Sequence, residues 1–171
     1  MMRKKHPGAA FGLSSKGEDE PEQEVLTPEH VIERVVTCFG GPIALDPCSP
    51  TIKEPSFYAR ARYREADNGL TRDWVDDTFV NPPFGTLKEW LEKVRVEAAR
   101  GLRIVLLSPF RSNRAWFRLT MQQADTISFE DAMNFHGRKD KIPVPICLMS
   151  FNCQIDGPLT IRPGKIPKCP E

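Results

Sequence analysis

The sequence has almost no net charge, no long apolar run and no clustered metal ligands. Its 24 Lys and Arg residues nearly balance its 23 Asp and Glu residues, which leaves a formal net charge of +1 on 171 residues. With this balance the protein as a whole has no electrostatic attraction for nucleic acid or membrane. Any contact with nucleic acid must therefore come from local patches of positive charge. No apolar run approaches the roughly 20 residues of a membrane-spanning helix, and the N-terminus lacks the apolar stretch of a signal peptide. We therefore expect a cytoplasmic protein with no membrane partner.

Cysteine and histidine are few and dispersed. The 5 cysteines form no Cys-x-x-Cys pair, and their odd number indicates reduced thiols instead of a disulfide framework or a zinc site. His6, His30 and His136 lie far apart in the sequence. We expect no protein-bound metal.

Polar composition distinguishes both ends of the chain. Residues 1–24 are rich in Gly, Ser, Lys and Glu and cannot bury enough apolar area to offset the entropy of ordering, so they are predicted to form a disordered arm. Residues 156–171 contain four prolines and are predicted to form a tail. The intervening residues 25–155 are long enough for one domain with a substantial core.

Helix and strand patterns alternate within that domain. Thr27-Pro28 has the pattern of an N-cap followed by Pro at the first helical position, and Gly40-Gly41 ends the helix. Thr86, with Glu89 three residues later, has the pattern of a capping box for a second helix. The remaining predicted elements are a helix over 113–122 and strands over 43–45, 78–80, 103–107, 126–129 and 146–151.

This alternation predicts an α/β fold, a mostly parallel sheet with helices on both faces. Ligands of such sheets bind at the carboxyl ends of the strands, near the point where the strand order reverses. Asp46, Asn81 and Ser108 each terminate a predicted strand at that edge. The interval from Asp46 to Asn81 is too short for the two strands and three helices of a full doubly wound insertion, which need more than roughly 40 residues. The sheet is therefore predicted to be trimmed, with an irregular segment over 49–74.

The turn Asn81-Pro82-Pro83-Phe84, directly after the strand 78–80, is suited to binding a planar exocyclic amine while a methyl group is transferred to it. The Asn81 side-chain carbonyl can accept one hydrogen of a planar exocyclic amine, and the Pro82 backbone carbonyl can accept the other. The nitrogen lone pair can then turn out of conjugation toward an electrophile. The prolines fix the turn in advance, and Phe84 offers a face for a stacked base. The alternative is an ordinary proline-rich turn, since a short motif needs structural context.

Several motifs occur in a distinctive order between Thr27 and about Asn152. They are Leu45-Asp46-Pro47-Cys48-Ser49, Asn68-Gly69-Leu70 with Trp74 downstream, Asn81-Pro82-Pro83-Phe84-Gly85, Leu106-Leu107-Ser108-Pro109, Trp116-Phe117 and Ile142-Pro143-Val144-Pro145. In combination they resemble the phage-type DNA N6-adenine methyltransferases, which use S-adenosylmethionine. The resemblance implies a trimmed, Rossmann-like class I methyltransferase sheet, with cofactor at the first strand and the target amine at the Asn-Pro-Pro turn. Phe84 stands where the family commonly has Tyr, and Asn68 where it often has Asp.

Three sets of candidate site residues follow from the motifs and the resemblance. The catalytic candidates are Asn81, Pro82, Pro83 and Phe84. The cofactor-binding candidates are Asp46, Pro47, Cys48, Asp73, Trp74 and Asn81. The DNA-binding candidates are Arg111, Arg114, Arg138, Lys139 and Lys141.

Some of these assignments have alternatives. Asp46 either anchors the amino or ribose groups of the cofactor or caps a neighbouring helix, and a carboxylate suits a cofactor with a sulfonium and an α-amine. Asp73-Trp74 either holds the cofactor adenine or is a buried Trp beside a solvated Asp. Cys48 has no neighbouring base in the sequence and is not expected to be a nucleophile. Aromatic and basic residues over 57–64 either form a nucleic-acid patch or pack their aromatic rings inward.

The predicted activity is transfer of a methyl group from S-adenosylmethionine to the N6 amine of adenine in DNA, by direct in-line displacement, in the cytosol of a bacterial or phage-infected host. The first alternative is methylation of RNA adenine or of a protein glutamine. The second is a module that binds nucleic acid or senses the cofactor without turnover. Such a module would have no use for a turn that binds the two hydrogens of an amine.

Overall fold

The computed structural model describes residues 27–50, 58–130 and 145–163. The helices are α1 (Glu29–Phe39), α2 (Leu87–Ala99) and α3 (Ala115–Gln123). The strands are β1 (Ile43–Asp46), β2 (Ala59–Arg62), β3 (Thr78–Val80), β4 (Ile104–Pro109), β5 (Thr126–Glu130), β6 (Ile146–Phe151) and β7 (Leu159–Ile161). Short 3₁₀ turns span Glu65–Asp67 and Phe84–Thr86. The predicted N-terminal arm lies outside the described residues.

Within the described ranges, the seven strands form one sheet in the order β2-β1-β3-β4-β6-β5-β7. Strands β1 to β4 pair in parallel. Strand β6 lies antiparallel between β4 and β5, and β7 pairs antiparallel with β5. The architecture is therefore a mixed α/β sheet. The expectation of a mostly parallel sheet is corrected for its second half, because β6 and β7 each pair directly with β5 in the opposite direction and need no crossover helix.

Helices cover both faces of the sheet. Along β4, Ile104 and Leu106 join the apolar cluster beneath α2 and α3, whereas Val105 and Leu107 join the cluster beneath α1. All four side chains are fully buried. This alternation with continuous burial is the reason for the unbroken apolar run in the sequence of β4.

Arg103 binds three elements together at the edge of the sheet where the parallel strands begin. Its guanidinium donates to Asp76 Oδ2 at 3.2 Å, to Asp77 Oδ2 at 2.8 Å and to the carbonyl of Phe39 at 3.1 Å. Its backbone N–H donates to Asp76 Oδ1 at 2.6 Å. The end of α1, the approach to β3 and the start of β4 are thereby fixed to one another.

Two strands lie in segments for which the sequence pattern predicts none. Strand β2 lies within 49–74, and its sequence Ala-Arg-Ala-Arg lacks an apolar run because it is an edge strand with two exposed residues. Strand β7 lies within the predicted tail, at the other edge of the sheet, where Leu159 and Ile161 are exposed. In both cases the strand forms by pairing with a single neighbour at the edge of the sheet. Its sequence lacks the apolar pattern of a buried strand.

Neither predicted threonine cap forms through its side chain. Pro28 is the N-cap of α1, with no side-chain hydrogen bond. Thr86 is the N-cap of α2 but also makes no side-chain cap, because the 3₁₀ turn over Phe84–Thr86 leads directly into the helix. The C-terminal end of α1 agrees with the prediction, since Gly40 adopts the left-handed conformation at φ 70°.

Candidate active site

Two functional turns lie side by side at the carboxyl edge of the sheet. Strand β1 pairs with β2 on one side and with β3 on the other, so the chain reverses its direction across the sheet at β1. Leu45 is in register with Thr78, which places Asp46 and the turn after Val80 at the same edge. The Asn81 backbone lies close enough to the Cys48 thiol to lower its pKa, against the larger effect of burial.

Asp46 is a buried carboxylate held by neutral donors. Its exposed fraction is 2%; Oδ1 accepts the Cys48 N–H at 3.1 Å, and Oδ2 accepts the Tyr58 hydroxyl at 2.9 Å. Burial raises the pKa of this carboxyl from 3.8 to about 6, against the opposing effects of the Cys48 and Tyr58 hydrogen bonds and a smaller one of Arg62. The group therefore changes its charge close to neutral pH, where a nearby cation favours the ionised form.

The turn after Asp46 rests on the loop around Gly69. A Cβ atom at position 69 would collide with the Pro47 carbonyl oxygen, so only glycine allows this approach. The indole N–H of Trp74 donates to the Gly69 carbonyl at 2.8 Å and holds the loop in place. The motif Asn68-Gly69-Leu70 thus supports the turn of Pro47 and Cys48.

Asp73 and Trp74 have the arrangement of the alternative interpretation, a buried Trp beside a solvated Asp. Trp74 is 3% exposed and stacks on Trp90 of α2 with ring centroids 6.2 Å apart. The Asp73 side chain is 94% exposed and lies 3.7 Å from Arg100. The indole faces of Trp74 pack against α2 and its N–H binds Gly69, which favours the alternative for Trp74, whereas cofactor binding by Asp73 stays a prediction.

Asn81 is half-buried, and its two amide ends have different environments. Nδ2 donates to the Thr27 hydroxyl at 3.0 Å. No hydrogen bond from another described residue reaches Oδ1. Pro82 is buried and Pro83 is exposed, both with trans peptide bonds. Phe84 is half-buried at the margin of the apolar cluster beneath α1, so its ring is partly fixed and partly available.

Cys48 is a packed thiol at this site and not a nucleophile. Burial, together with the neighbouring Asp46 carboxylate, raises the pKa of the thiol well above its ordinary value. It stays protonated at neutral pH, and thiols act as nucleophiles in the ionised form. Transfer to an amine needs no covalent enzyme intermediate.

The DNA-binding candidates fall in two groups. Arg111 and Arg114 are exposed after β4, at the same edge as Asp46 and Asn81, and no ion pair joins them to another described residue. Arg138, Lys139 and Lys141 lie outside the described residues, so their role stays a prediction.

The aromatic residues over 57–64 pack inward where they are described. Tyr58 donates to Asp46 and meets the Phe79 ring edge-on at 5.9 Å between centroids. The Tyr63 hydroxyl donates to the Asp73 carbonyl at 3.0 Å. Both rings thus have structural partners, and the interpretation as a stacking patch is corrected for these two.

Sequence reasoning misses the site contacts of Thr27 and Tyr58. The local pattern assigns Thr27 to a helix cap, yet its hydroxyl binds Asn81, 54 residues away. No local pattern indicates a hydrogen bond over that separation. Tyr58 precedes the unpredicted strand β2, and only the pairing of β2 with β1 brings its hydroxyl to Asp46.

A comparison with protein families identifies the family to which this chain belongs. Residues 14–144 match the family described as DNA N-6-adenine-methyltransferase (Dam). The chain belongs to this family. It is thus an enzyme that methylates the N6 amine of adenine in DNA, with its Asn-Pro-Pro-Phe turn within the matched region. A comparison with curated proteins finds no match.

Two structural findings accompany this assignment. Across residues 27–50, 58–130 and 145–163, no three His, Cys, Asp or Glu side chains come together in a group that could hold a metal ion. No helix in the same ranges has the length and apolar character needed to cross a membrane.

Proposed function

We propose that this methyltransferase uses S-adenosylmethionine and holds the target adenine at Asn81, Pro82 and Phe84, with the cofactor beside Asp46, Pro47 and Cys48. The observation that carries the proposal is the adjacency of the two turns at the strand-order reversal. That reversal, with β1 between β2 and β3, also supports a trimmed Rossmann-like sheet. In this arrangement methyl donor and acceptor meet at one edge.

The Asp46 turn has the chemistry that a cationic cofactor requires. S-adenosylmethionine supplies an electrophilic methyl group on a sulfonium sulfur. Asp46 accepts from the neutral Cys48 N–H and Tyr58 hydroxyl, and the Arg62 cation has the smallest of the effects on its pKa, so a cationic group of the cofactor suits this carboxylate. The packing of Gly69 on Pro47 fixes the shape of this turn.

The Asn81 turn would act on the amine by positioning and electrostatics. Oδ1 and the Pro82 carbonyl accept the two amine hydrogens, and Phe84 stacks on the base. As the N–C bond forms, the bond from the methyl carbon to the sulfonium sulfur would break and leave a neutral thioether, so the nitrogen becomes cationic. Acceptors already aimed at its hydrogens stabilise that charge. The extra proton then leaves to water. A base in duplex DNA must leave the stack to reach this turn.

The DNA contact is proposed for Arg111 and Arg114 together with Arg138, Lys139 and Lys141. The first two share the edge that bears the Asn81 turn, and arginines neutralise phosphates without reading sequence. Because its substrate is DNA, we propose that the enzyme works in the cytosol of a bacterial or phage-infected host.

The test of this mechanism is Asn81→Ala. We expect cofactor affinity to stay at the parent value, while the single-turnover rate on adenine-containing DNA falls by roughly 10²–10³, the typical effect of removing one preorganised hydrogen-bonding group. Asn81→Asp should lose less, since a carboxylate still accepts from the amine. A parent rate for Asn81→Ala would disprove the amine-holding role.

Phe84 provides a second measurement at the same turn. Phe84→Tyr should retain activity, because the stacking face is kept. Phe84→Ala should lose much of it, since base–aromatic stacking contributes roughly 1–3 kcal/mol per base. Side-by-side assays on DNA, RNA and a glutamine peptide, with mass spectrometry of the products, would detect the alternative substrates.

A further inference from the structure

We propose that Thr27 is a positioning residue that orients the Asn81 side-chain amide for methyl transfer. The proposal rests on the amine-holding role proposed for Asn81. It assigns to the residue before α1 a part in the chemistry of the turn after β3.

The orientation matters because the two ends of an amide are chemically opposite. An amine that presents its two hydrogens needs acceptors, so Oδ1 must face it. If the amide rotated by half a turn, Nδ2 would face the amine, and donor would meet donor. A threonine hydroxyl can accept or donate, so the amine itself decides which end of the amide faces it. The hydrogen bond between Nδ2 and Thr27 Oγ1, at 3.0 Å, holds the amide at the place where Oδ1 can meet that amine.

Both ends of this hydrogen bond lie on fixed backbone. Pro28 follows Thr27, and its carbonyl accepts the N–H of Val31 at 3.0 Å, so the residue is attached to the first turn of α1. Asn81 directly follows the buried strand β3, and the proline after it restricts its backbone. The hydrogen bond from Asn81 to Thr27 therefore joins two restrained segments of backbone.

Burial strengthens the constraint. Thr27 is only 9% exposed, and little water can reach its hydroxyl. Without that hydroxyl, Nδ2 would lack a partner in a site with restricted access to solvent, and leaving a donor unsatisfied there costs free energy. Rotation of the amide toward another partner would relieve this cost and would misdirect Oδ1.

The experiment compares Thr27→Val, Thr27→Ser and Thr37→Val. Valine keeps the shape of threonine and removes the hydroxyl, whereas serine keeps the hydroxyl. Thr37 is the matched control, because it is a threonine of the adjoining helix α1 whose hydroxyl donates to the Glu33 carbonyl at 2.8 Å, within the same helix. The readouts are the single-turnover rate at saturating DNA and cofactor, the cofactor affinity and the thermal unfolding midpoint.

We expect Thr27→Val to lower the single-turnover rate roughly 5- to 10-fold, as for one lost hydrogen bond, with cofactor affinity unchanged. Thr27→Ser should remain within about twofold of the parent, and Thr37→Val should match it. If Thr27→Val does not fold, Thr27→Ala makes the same comparison with a smaller side chain.

A double-mutant cycle separates positioning from a structural bond between α1 and β3. In an Asn81→Ala background the Thr27→Val substitution should cause no further loss of rate, because no amide remains to be oriented. An equal fractional loss in both backgrounds, or a parent rate for Thr27→Val while Asn81→Ala is impaired, would overturn the role of Thr27 alone. A parent rate for Asn81→Ala would overturn both proposals.

Discussion

Asp46 shows how one buried carboxylate can oppose folding and serve binding. Its pKa in the folded protein, about 6, is higher than the ordinary 3.8, so the folded state holds the proton more tightly than the unfolded state does. The stability that this group contributes is fully present below about pH 4. It is lost as the pH rises to about 6, with a total of about 3 kcal/mol for a shift of roughly two units.

Asp46→Asn should therefore gain stability relative to the parent as the pH rises from about 4 to about 6. The amide cannot ionise, and it can still accept from the Cys48 N–H. The check is urea denaturation of both proteins across this pH range, with Asp73→Asn as the control for net charge. A constant difference in unfolding free energy would contradict the raised pKa.

Cofactor affinity should change in the opposite sense. A cationic ligand binds the ionised carboxylate, so the affinity of the parent for S-adenosylmethionine should fall as the pH drops through about 6. Asp46→Asn should bind weakly at all pH values. Calorimetry with S-adenosylhomocysteine, which lacks the sulfonium charge, should show a weaker pH dependence.

At the scale of elements, close backbone approaches position the site. Gly69→Ala places a methyl group against the Pro47 carbonyl, and backbone on both sides cannot move aside cheaply. We expect a loss of roughly 1–3 kcal/mol in stability, together with weaker cofactor binding because the Asp46 turn shifts. Gly41→Ala is the matched control, since a methyl group at that position would meet no atom within 4 Å. Equal effects of the two substitutions would contradict this account.

The attachment of α1 to β5 depends on a shielded ion pair. Arg34 donates to Glu130 at 2.6 Å and to Ser128 at 3.0 Å, and the Glu130 side chain is 3% exposed. Arg34→Met leaves that carboxylate without its cation and should lower stability by on the order of 3 kcal/mol.

The exposed pair of Lys88 and Glu92 is the comparison for Arg34. Its atoms are 3.9 Å apart and about half exposed, so Lys88→Met should change stability by less than about 0.5 kcal/mol. Denaturation midpoints of the two variants measure the difference. Similar small losses would show that the Arg34 ion pair contributes little.

Elements with two buried faces could be predicted from the sequence, and edge elements could not. The apolar sequences of β4 and β6 identify them as strands because both faces are covered. Strands β2 and β7 depend on pairing with β1 and β5, which a local pattern does not contain. The predicted turn at Asn81 lies at the expected edge, whereas the contact with Thr27 arises only from tertiary packing.

For the whole molecule, the near-zero net charge makes DNA binding depend on where the cations lie. Arg111→Ala with Arg114→Ala should lower DNA affinity and flatten the dependence of log affinity on log salt by up to about 0.9 for each phosphate that is no longer neutralised. Arg162→Ala is the control, since that exposed residue follows β7 at the far side of the sheet. An unchanged salt slope for the double variant would show that DNA binds elsewhere.

The position of Arg103 has a consequence for how this enzyme can diverge. Its hydrogen bonds join α1, β3 and β4 at one edge, whereas the turns of Asp46 and Asn81 lie at the other. Apart from close contacts such as Gly69 on Pro47, loops at the edge that bears Asp46 and Asn81 can therefore accumulate substitutions without disturbing the hydrogen bonds of Arg103. New target sequences can evolve at that edge on an unchanged scaffold, whereas substitutions at Arg103 would loosen the scaffold itself.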